Sequence, residues 1–467
     1  MNRNRIFLKY IGYDMLAAVL VWVAFVVFRK YVNDIQVFEV LRLFTPNYNY
    51  LGSLIFFPFY CVFVHSLAGF YVNSYKKNRI NLVLSTFSSS AIISTSVFFA
   101  LKLGDALVSY EYFYFSLLVL FGFQFLFTYF LRNVVFSQIE HNYRTKKWTI
   151  NTLIVGTGEN ASKIANDLEK HAQRNTIIGF VSTNKRVGIA SEKIVGNISQ
   201  VASVIEKYDI QEAIVALDND VDETELFKII NLLYRFDVEI QFTPRLFEIL
   251  SGSAKISKLE ISPLVSITQP SMSDWEASVK RFMDIVLSTV SLIVLSPFLL
   301  FFMIRIKQDS KGPIMYKQER IGRYGKPFNI LKFRTMYIGS ENGTPKLSSA
   351  NDERITPVGR ILRKYRIDEI PQFWNIIKGD MSLVGPRPER RYYINRIIED
   401  APYYCLLYKI RPGLTSWGPI KIGYSDSVEK MVERLNYDVI YLDNMSLVTD
   451  MKILIYTFEI IFKGKGV

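Results

Sequence analysis

Three observations predict a membrane α-helical protein joined to an α/β part. Four long apolar runs lie before residue 148, strand-like and helix-like segments alternate over 149–262, and one further apolar run, Phe282–Ile306, has cations on both flanks. The expected architecture is a four-helix transmembrane bundle (1–148), a Rossmann-like parallel α/β domain (149–262) and a mainly α module (275–467). That last module is monotopic: it enters the membrane through a re-entrant helix at about 281–306 and does not cross it.

The four runs, Ile11–Phe28, Leu51–Val72, Ser85–Leu101 and Tyr112–Leu131, each approach the ~20 residues that span a bilayer as a helix. The first has the basic start of a signal peptide, but no small-residue cleavage site follows it and three further runs do. Ten Lys/Arg fall on one side of the runs (Arg3, Arg5, Lys9, Lys76, Lys77, Arg79, Arg132, Arg144, Lys146, Lys147) and four on the other (Arg29, Lys30, Arg42, Lys102). The richer side is expected to face the cytoplasm, and with it everything after Trp148. Pro58 and His65, inside the second run, read as a kink and a helix-packing polar group. A pore would need more polar residues along the spans than are present.

The net charge of +13 suits anionic lipid headgroups and phosphorylated substrates. Nucleic acid does not fit a membrane bundle followed by carboxylate-centred chemistry. Cys61 and Cys405, far apart, can build neither a disulfide framework nor a zinc site.

In the middle domain, Thr149–Val155, Ile177–Val181, Glu212–Leu217 and Val238–Phe242 read as strands separated by helices, which argues for a parallel sheet. Gly156-Thr-Gly158-Glu-Asn-Ala161 after the first strand has the spacing of a dinucleotide fingerprint. Two parts of that pattern are missing. The second strand ends in Ser182-Thr183-Asn184 where a ribose-binding acid belongs, and no Tyr-x-x-x-Lys pair follows. A non-catalytic role, regulatory or as a homodimer contact, is expected, with nucleotide sensing and NAD-dependent catalysis as the alternatives. Asp218-Asn-Asp220 is formally an Asp-x-Asp motif, but it reads as the acidic opening of the next helix.

Phe282–Ile306 is about 25 residues long, enough to cross a bilayer. Ser296-Pro297 interrupts it, and proline removes a helix hydrogen bond and bends the chain. Cations on both flanks, Lys280 and Arg281 before and Lys307, Lys311, Lys317, Arg320 and Arg323 after, both prefer the cytoplasm. A helix that enters, breaks at Ser296-Pro297 and returns satisfies both facts.

The chemistry is expected at Asp368-Glu369. Pro371 suits the first turn of a helix that stops at Gly379, which leaves both carboxylates at its positive end among Arg360, Arg363 and Arg366. An ionised aspartate can attack phosphorus, and its neighbour can share Mg²⁺ with substrate phosphate oxygens. Arg387, fixed between Pro386 and Pro388, presents a guanidinium that matches phosphate with a two-pronged fork. Lys332, Arg334, Arg354 and Arg411 are further candidates for substrate binding.

These residues resemble the polyprenyl-phosphate hexose-1-phosphate transferases, the large bacterial form of the monotopic phosphoglycosyl transferases. The motifs are Lys332-Phe-Arg-Thr-Met336, Arg354-Ile-Thr-Pro-Val-Gly-Arg360, Asp368-Glu-Ile-Pro-Gln372, Gly379–Pro388 and Arg411-Pro-Gly-Leu-Thr-Ser-Trp417. The resemblance implies transfer of a sugar-1-phosphate from a UDP-sugar to undecaprenyl phosphate, with release of UMP, at the inner membrane among bacterial membrane lipids. It implies Asp368 as nucleophile, Glu369 as the Mg²⁺ partner, Arg363 and Arg387 around the phosphate, and Ser296-Pro297 as the helix break. The product would begin an O-antigen, capsule or exopolysaccharide repeat unit. Ser416-Trp417-Gly418 and Met445 depart from the family's usual residues. Two rivals make different demands. An NAD-dependent nucleotide-sugar dehydratase or epimerase needs the absent Tyr-x-x-x-Lys pair, and a polysaccharide-assembly scaffold needs no Asp368.

Overall fold

The computed structural model describes all residues except 1–2, 34–47, 73, 75–76, 103–109, 172–173, 183–192, 219–222, 237, 243–264, 267–271, 341–351, 424–426 and 463–467. The expectations at Arg42, Lys76, Thr183, Asn184 and Asp220, and the side chains of Arg3, Arg29, Lys30 and Lys102, lie outside the described residues. The chain forms two compact units, Met1–Trp148 with Ser273–Lys280, and Thr149–Met272 with Arg281–Val467.

The first unit is built on α1 (Arg3–Asn33), α2 (Tyr48–Leu67), α3 (Arg79–Lys102) and α4 (Tyr110–Arg144). Stretches of α1, α3 and α4 are long and apolar enough to cross a membrane, whereas the apolar stretch described in α2, Gly52–Leu67, is shorter. Val21, Trp22, Phe25, Phe57, Cys61, Ile93 and Leu120 pack between the helices. Ile55, Phe56, Leu84, Leu118 and Phe130 point outward and are exposed, as lipid-facing residues must be.

Inside this unit lies a polar cluster that hydropathy alone does not reveal. Arg132 on α4 donates from Nε and Nη2 to both oxygens of Asp14 on α1, at 2.8 and 2.7 Å. Its Nη1 donates to Thr86 on α3 at 3.0 Å, and its guanidinium lies 3.4 Å from the centre of the Phe70 ring. The Tyr71 hydroxyl donates to Asp14 at 2.8 Å. Both ion-pair side chains are fully buried. Arg132 is therefore no loop charge, which corrects its place in the charge tally. With it removed, nine cations still oppose four in the sequence.

The second unit opens with a six-stranded sheet in the order β3-β2-β1-β4-β5-β6. Its strands are β1 (Ile150–Val155), β2 (Asn175–Ser182), β3 (Ile194–Asn197), β4 (Glu212–Val215), β5 (Glu239–Phe242) and β6 (Val265–Ser266). The first five pair in parallel and β6 is antiparallel to β5. This is the Rossmann order. Strands β3 and β6, of four and two residues, are too short to leave an alternation in the sequence. The connecting helices are α5 (Glu159–His171), α6 (Val201–Lys207) and α7 (Glu223–Leu233).

Next comes α8 (Asp274–Asp309). It is helical through Pro297, where the sequence led us to expect a break. Proline has no N–H for the carbonyl of Ile293, four residues back, and the Ser296 hydroxyl takes that carbonyl at 2.7 Å. Both ends of the apolar run are fastened to the same module. At the start, the Leu383 N–H donates to Asp284, and Arg281 donates to the carbonyls of Ile376 and Ile377. At the end, Phe302 and Ile306 pack with Phe333, Leu362 and Ile367. Between them Val290, Ile293, Val294, Leu300 and Phe301 are exposed. Two ends held on one body with an apolar middle are what a re-entrant segment requires.

The rest of the module is helical around two small ladders. β7 (Met315–Ile321) and β8 (Pro327–Phe333) form an antiparallel hairpin, and β9 (Ser382–Val384) pairs in parallel with β10 (Gly413–Thr415). The helices are α9 (Pro357–Lys364), α10 (Gln372–Lys378), α11 (Arg391–Asp400), α12 (Trp417–Ile422), α13 (Val428–Asp443) and α14 (Leu447–Phe462). One continuous core joins this module to the sheet domain. Ile229, Leu233 and Tyr234 pack in it with Tyr393, Ile397, Cys405, Tyr408 and Met431.

Replacing Asp14 by Ala leaves the Arg132 charge buried without its partner. The expected loss of stability is about 3–5 kcal/mol, read as a lower thermal unfolding midpoint of the detergent-solubilised chain. An unchanged midpoint would show that the pair does not hold the bundle.

Candidate active site

Asp368 and Glu369 sit in a single 3-10 turn, Ile367–Glu369, between α9 and α10. The turn is set by Arg366, whose backbone takes the left-handed conformation (φ 57°, ψ 21°). That conformation costs a non-glycine residue about 1–2 kcal/mol, and it turns the chain at the end of α9 so that both acids face inward. Pro371 precedes the first residue of α10, which ends at Gly379.

Asn375, buried on α10, fixes this helix to β8. Its Oδ1 accepts from the Leu331 N–H at 3.0 Å and its Nδ2 donates to the Asn329 carbonyl at 2.8 Å. The clamp sets the height of β8 so that Lys332 Nζ meets Glu369 Oε1 at 2.9 Å. Arg387 Nη2 reaches the same oxygen at 3.2 Å, and Arg366 Nη1 reaches Oε2 at 3.5 Å. Arg387 is carried there by the β9/β10 ladder. Gly385 and Gly413 lie where the two strands touch, and a Cβ on Gly385 would come 2.5 Å from the Arg411 carbonyl. Only glycine permits that approach.

The two carboxylates differ in environment. Burial alone would raise the pKa of Glu369, but Lys332, Arg387 and Arg366 outweigh it and hold the group well below the usual range. Asp368 makes no hydrogen bond and no ion pair among the described residues and opens on a cleft of about 590 Å³. Burial, and then the Glu369 charge beside it, pushes its pKa up to about 6. The cleft is also lined by Arg320, Lys332, Arg334, Arg363, Arg366, Arg387, Arg390 and Arg434, so eight cations face three carboxylates, Asp368, Glu369 and Glu389. Such an excess draws anions.

The expected site residues divide into two sets. Lys332, Arg363 and Arg387 line the cleft with Asp368 and Glu369; Arg363 is steadied by a 2.9 Å bond from Nε to Thr335. Arg334 also borders it, but its guanidinium donates to the carbonyls of Lys311, Ile306 and Ser310 and so closes the C-terminal end of α8. Arg354 forks onto Asp352, and this hydrogen bonding pulls the aspartate down to about 2. Arg411 donates to the Gly379 carbonyl, at the end of α10 away from the acids. Arg360 is exposed and does not border the cleft. Ser296 and Pro297 lie on the exposed stretch of α8 described above.

Sequence reasoning passed over Asn375, Glu389 and Arg434, and took Arg320 for a membrane-flanking charge. Arg320 and Arg434 hold the two oxygens of Glu389, which directly follows Pro388. No alternation marks β7, whose Lys317-Gln-Glu-Arg320 run is continuously polar, so the sequence does not single out Arg320.

For Mg²⁺, no three His, Cys, Asp or Glu side chains converge among the described residues. Mg²⁺ is commonly held by one or two carboxylates with substrate phosphates completing the shell. The free Asp368 beside Glu369 fits that open type of site, although Glu369 would have to exchange cationic partners for the ion.

A carboxylate without partners among guanidinium groups, on a module tied to both ends of an apolar helix, defines the class: an anion-handling site of a membrane-associated transferase. The chain belongs to the bacterial sugar transferase family, whose model matches residues 275–464. A second model, the CoA-binding domain, matches residues 66–244. The chain is 40% identical over 184 residues to a UDP-glucose:undecaprenyl-phosphate glucose-1-phosphate transferase of Caulobacter vibrioides, covering 38% of this chain and 67% of that protein. It is 35% identical over 229 residues to the UDP-N-acetylgalactosamine-undecaprenyl-phosphate N-acetylgalactosaminephosphotransferase of Aeromonas hydrophila, covering 49% of this chain and 53% of that protein. To the Escherichia coli UDP-glucose:undecaprenyl-phosphate glucose-1-phosphate transferase it is 30% identical over 290 residues, 62% of this chain and 61% of that protein. The match thus spans between half and two thirds of the length of most of these relatives. Among solved structures, UDP-D-quinovosamine 4-dehydrogenase from Vibrio fischeri aligns with 25% of this chain and 93% of its own at 21% identity and a TM-score of 0.21.

Arg366 separates backbone strain from charge. Arg366→Gly and Arg366→Ala both lose the Glu369 contact, but only glycine accepts the left-handed backbone. The glycine variant should be more stable than the alanine variant by about 1 kcal/mol in denaturant or thermal unfolding. Equal stabilities would mean that the turn relaxes.

Proposed function

We propose that the protein transfers a sugar-1-phosphate from a UDP-sugar to undecaprenyl phosphate at the cytosolic face of a bacterial inner membrane, releasing UMP. The observation that carries this reading is the contrast within one turn: Glu369 is neutralised by three cations, while Asp368 is buried, unpaired and open to a cationic cleft. The relatives' names supply the donor and the lipid acceptor.

In the first step an Asp368 carboxylate oxygen bonds to the phosphorus that carries the sugar. The bond from that phosphorus to the bridging oxygen breaks, and UMP leaves with the electron pair. In the second step a phosphate oxygen of undecaprenyl phosphate attacks the same phosphorus and frees the Asp368 carboxylate. Two displacements at one centre let a single cleft serve both substrates in turn. Lys332, Arg363, Arg366 and Arg387 hold the phosphate oxygens and offset the charge that builds on them. Without Mg²⁺, Glu369 keeps Lys332 and Arg387 at fixed positions beside the nucleophile. Mg²⁺, held by Glu369 and the substrate's diphosphate, would supply further charge neutralisation. The product would start a polysaccharide repeat unit.

Asp368→Asn should abolish both UMP release and any phosphosugar adduct, measured with a panel of UDP-sugars and by intact-protein mass; an adduct on that variant would falsify the assignment. The panel also identifies the hexose, on which the relatives differ.

The pH dependence follows from the raised Asp368 pKa. Only the ionised carboxylate attacks, so UMP release should fall about tenfold per pH unit below pH ~6 and level off above it. A profile flat down to pH 4.5 would show that a different group limits the reaction.

A further inference from the structure

The match to a CoA-binding domain and the Gly156-Thr-Gly158-Glu-Asn-Ala161 turn both imply a nucleotide ligand for the sheet domain. Such a ligand would set its diphosphate over the second glycine, against the first amides of the following helix. That place is filled by the protein itself. A Cβ built on Gly158 would fall inside the Asp218 carboxylate, so this acid lies directly on the glycine. Asp218 Oδ1 accepts from the Asn160 backbone N–H at 3.3 Å, one of the first amides of α5. The Asn160 side chain donates from Nδ2 to the Leu217 carbonyl at 3.0 Å, which fastens the loop after β4 to the turn after β1. A Cβ on Gly156 would likewise meet the Ala216 carbonyl. Both glycines are thus accounted for by the approach of the chain to itself.

We infer that Asp218 is a built-in anion that closes the phosphate seat of the sheet domain, so that this domain binds neither a dinucleotide nor coenzyme A. A diphosphate brought to Gly158 meets the carboxylate sterically and as a like charge, and the amide it would use is already bonded. The other end of the expected site is equally unsuited, since β2 ends at Ser182, which has no carboxylate for ribose hydroxyls. The fingerprint spacing survives here as a packing device, and the inference does not depend on the reaction at Asp368.

The test is equilibrium binding to the full-length detergent-solubilised chain, with NADH, coenzyme A and inorganic pyrophosphate as probes. Wild type should show no saturable binding of NADH or coenzyme A below about 1 mM. Asp218→Ala should bind pyrophosphate at least about tenfold more tightly than wild type, because a like charge and its bulk are gone. Asp218→Asn keeps the shape and the contact to Asn160 while removing the charge, and it should gain less; it is the variant to use if the alanine form does not fold. Pyrophosphate protection of the Asn160 amide from hydrogen exchange in the variant would locate the gain. Micromolar binding of NADH or coenzyme A by wild type that protects the Asn160 amide from hydrogen exchange overturns the inference, whereas anion binding at the cationic cleft leaves that amide unprotected. So does a folded variant that binds pyrophosphate no better than wild type.

Discussion

Two adjacent buried carboxylates cannot both be left ionised and unpaired, because each disfavours the charge on the other. The structure resolves this by giving the direct ion pairs to one of them. Lys332 and Arg387 converge on one oxygen of Glu369 and Arg366 on the other. Asp368, though buried, is left open to whatever anion enters the cleft. The asymmetry depends on tertiary structure: Lys332 arrives on β8, Arg387 on the turn after β9, and Arg366 on the left-handed residue that ends the preceding helix. The side chains that set these elements in place serve the site as directly as those that line it.

Helix α10 organises that placement from both ends. Its N-terminal side carries the acids and its C-terminal carbonyls receive Arg281. Arg411 closes the following residue, Gly379. Both charges complement the helix dipole. Arg281 belongs to α8, so the long apolar helix holds the very helix that follows Asp368 and Glu369. Arg334 does the converse, reaching from beyond β8 to the Ile306 carbonyl in the last turn of α8 and to those of Ser310 and Lys311 just after it.

Much of this was legible in the sequence where the signal is local. The adjacent acids, the proline that opens α10, the glycine that stops it and the parallel sheet each follow from spacing within a few residues. What could not be read was which cation serves which partner. Arg334, Arg354, Arg360, Arg363, Arg387 and Arg411 are chemically equivalent in a sequence, and only Arg363 and Arg387 among them aim their charge at the cleft without being spent on a helix end or a local turn. Asn375 carries no charge and sits in no obvious pattern, yet it clamps β8. Arg132 looked like a loop residue because charge at the end of an apolar run usually is one. Its partner Asp14 lies 118 positions away, a separation that no periodicity reports.

The core shared by the sheet domain and the cleft has a mechanical meaning. Tyr393 and Met431 line the cleft on one side and on the other are packed with Ile229, Leu233 and Tyr234 of the sheet domain. Close-packed interiors transmit displacement and do not absorb it. The sheet domain therefore works as a retaining wall: the stiffness of the cleft is set partly by side chains that never meet a substrate. Mutations that loosen α7 would widen the spread of cleft geometries, and selection on the cleft would extend to side chains that do not line it.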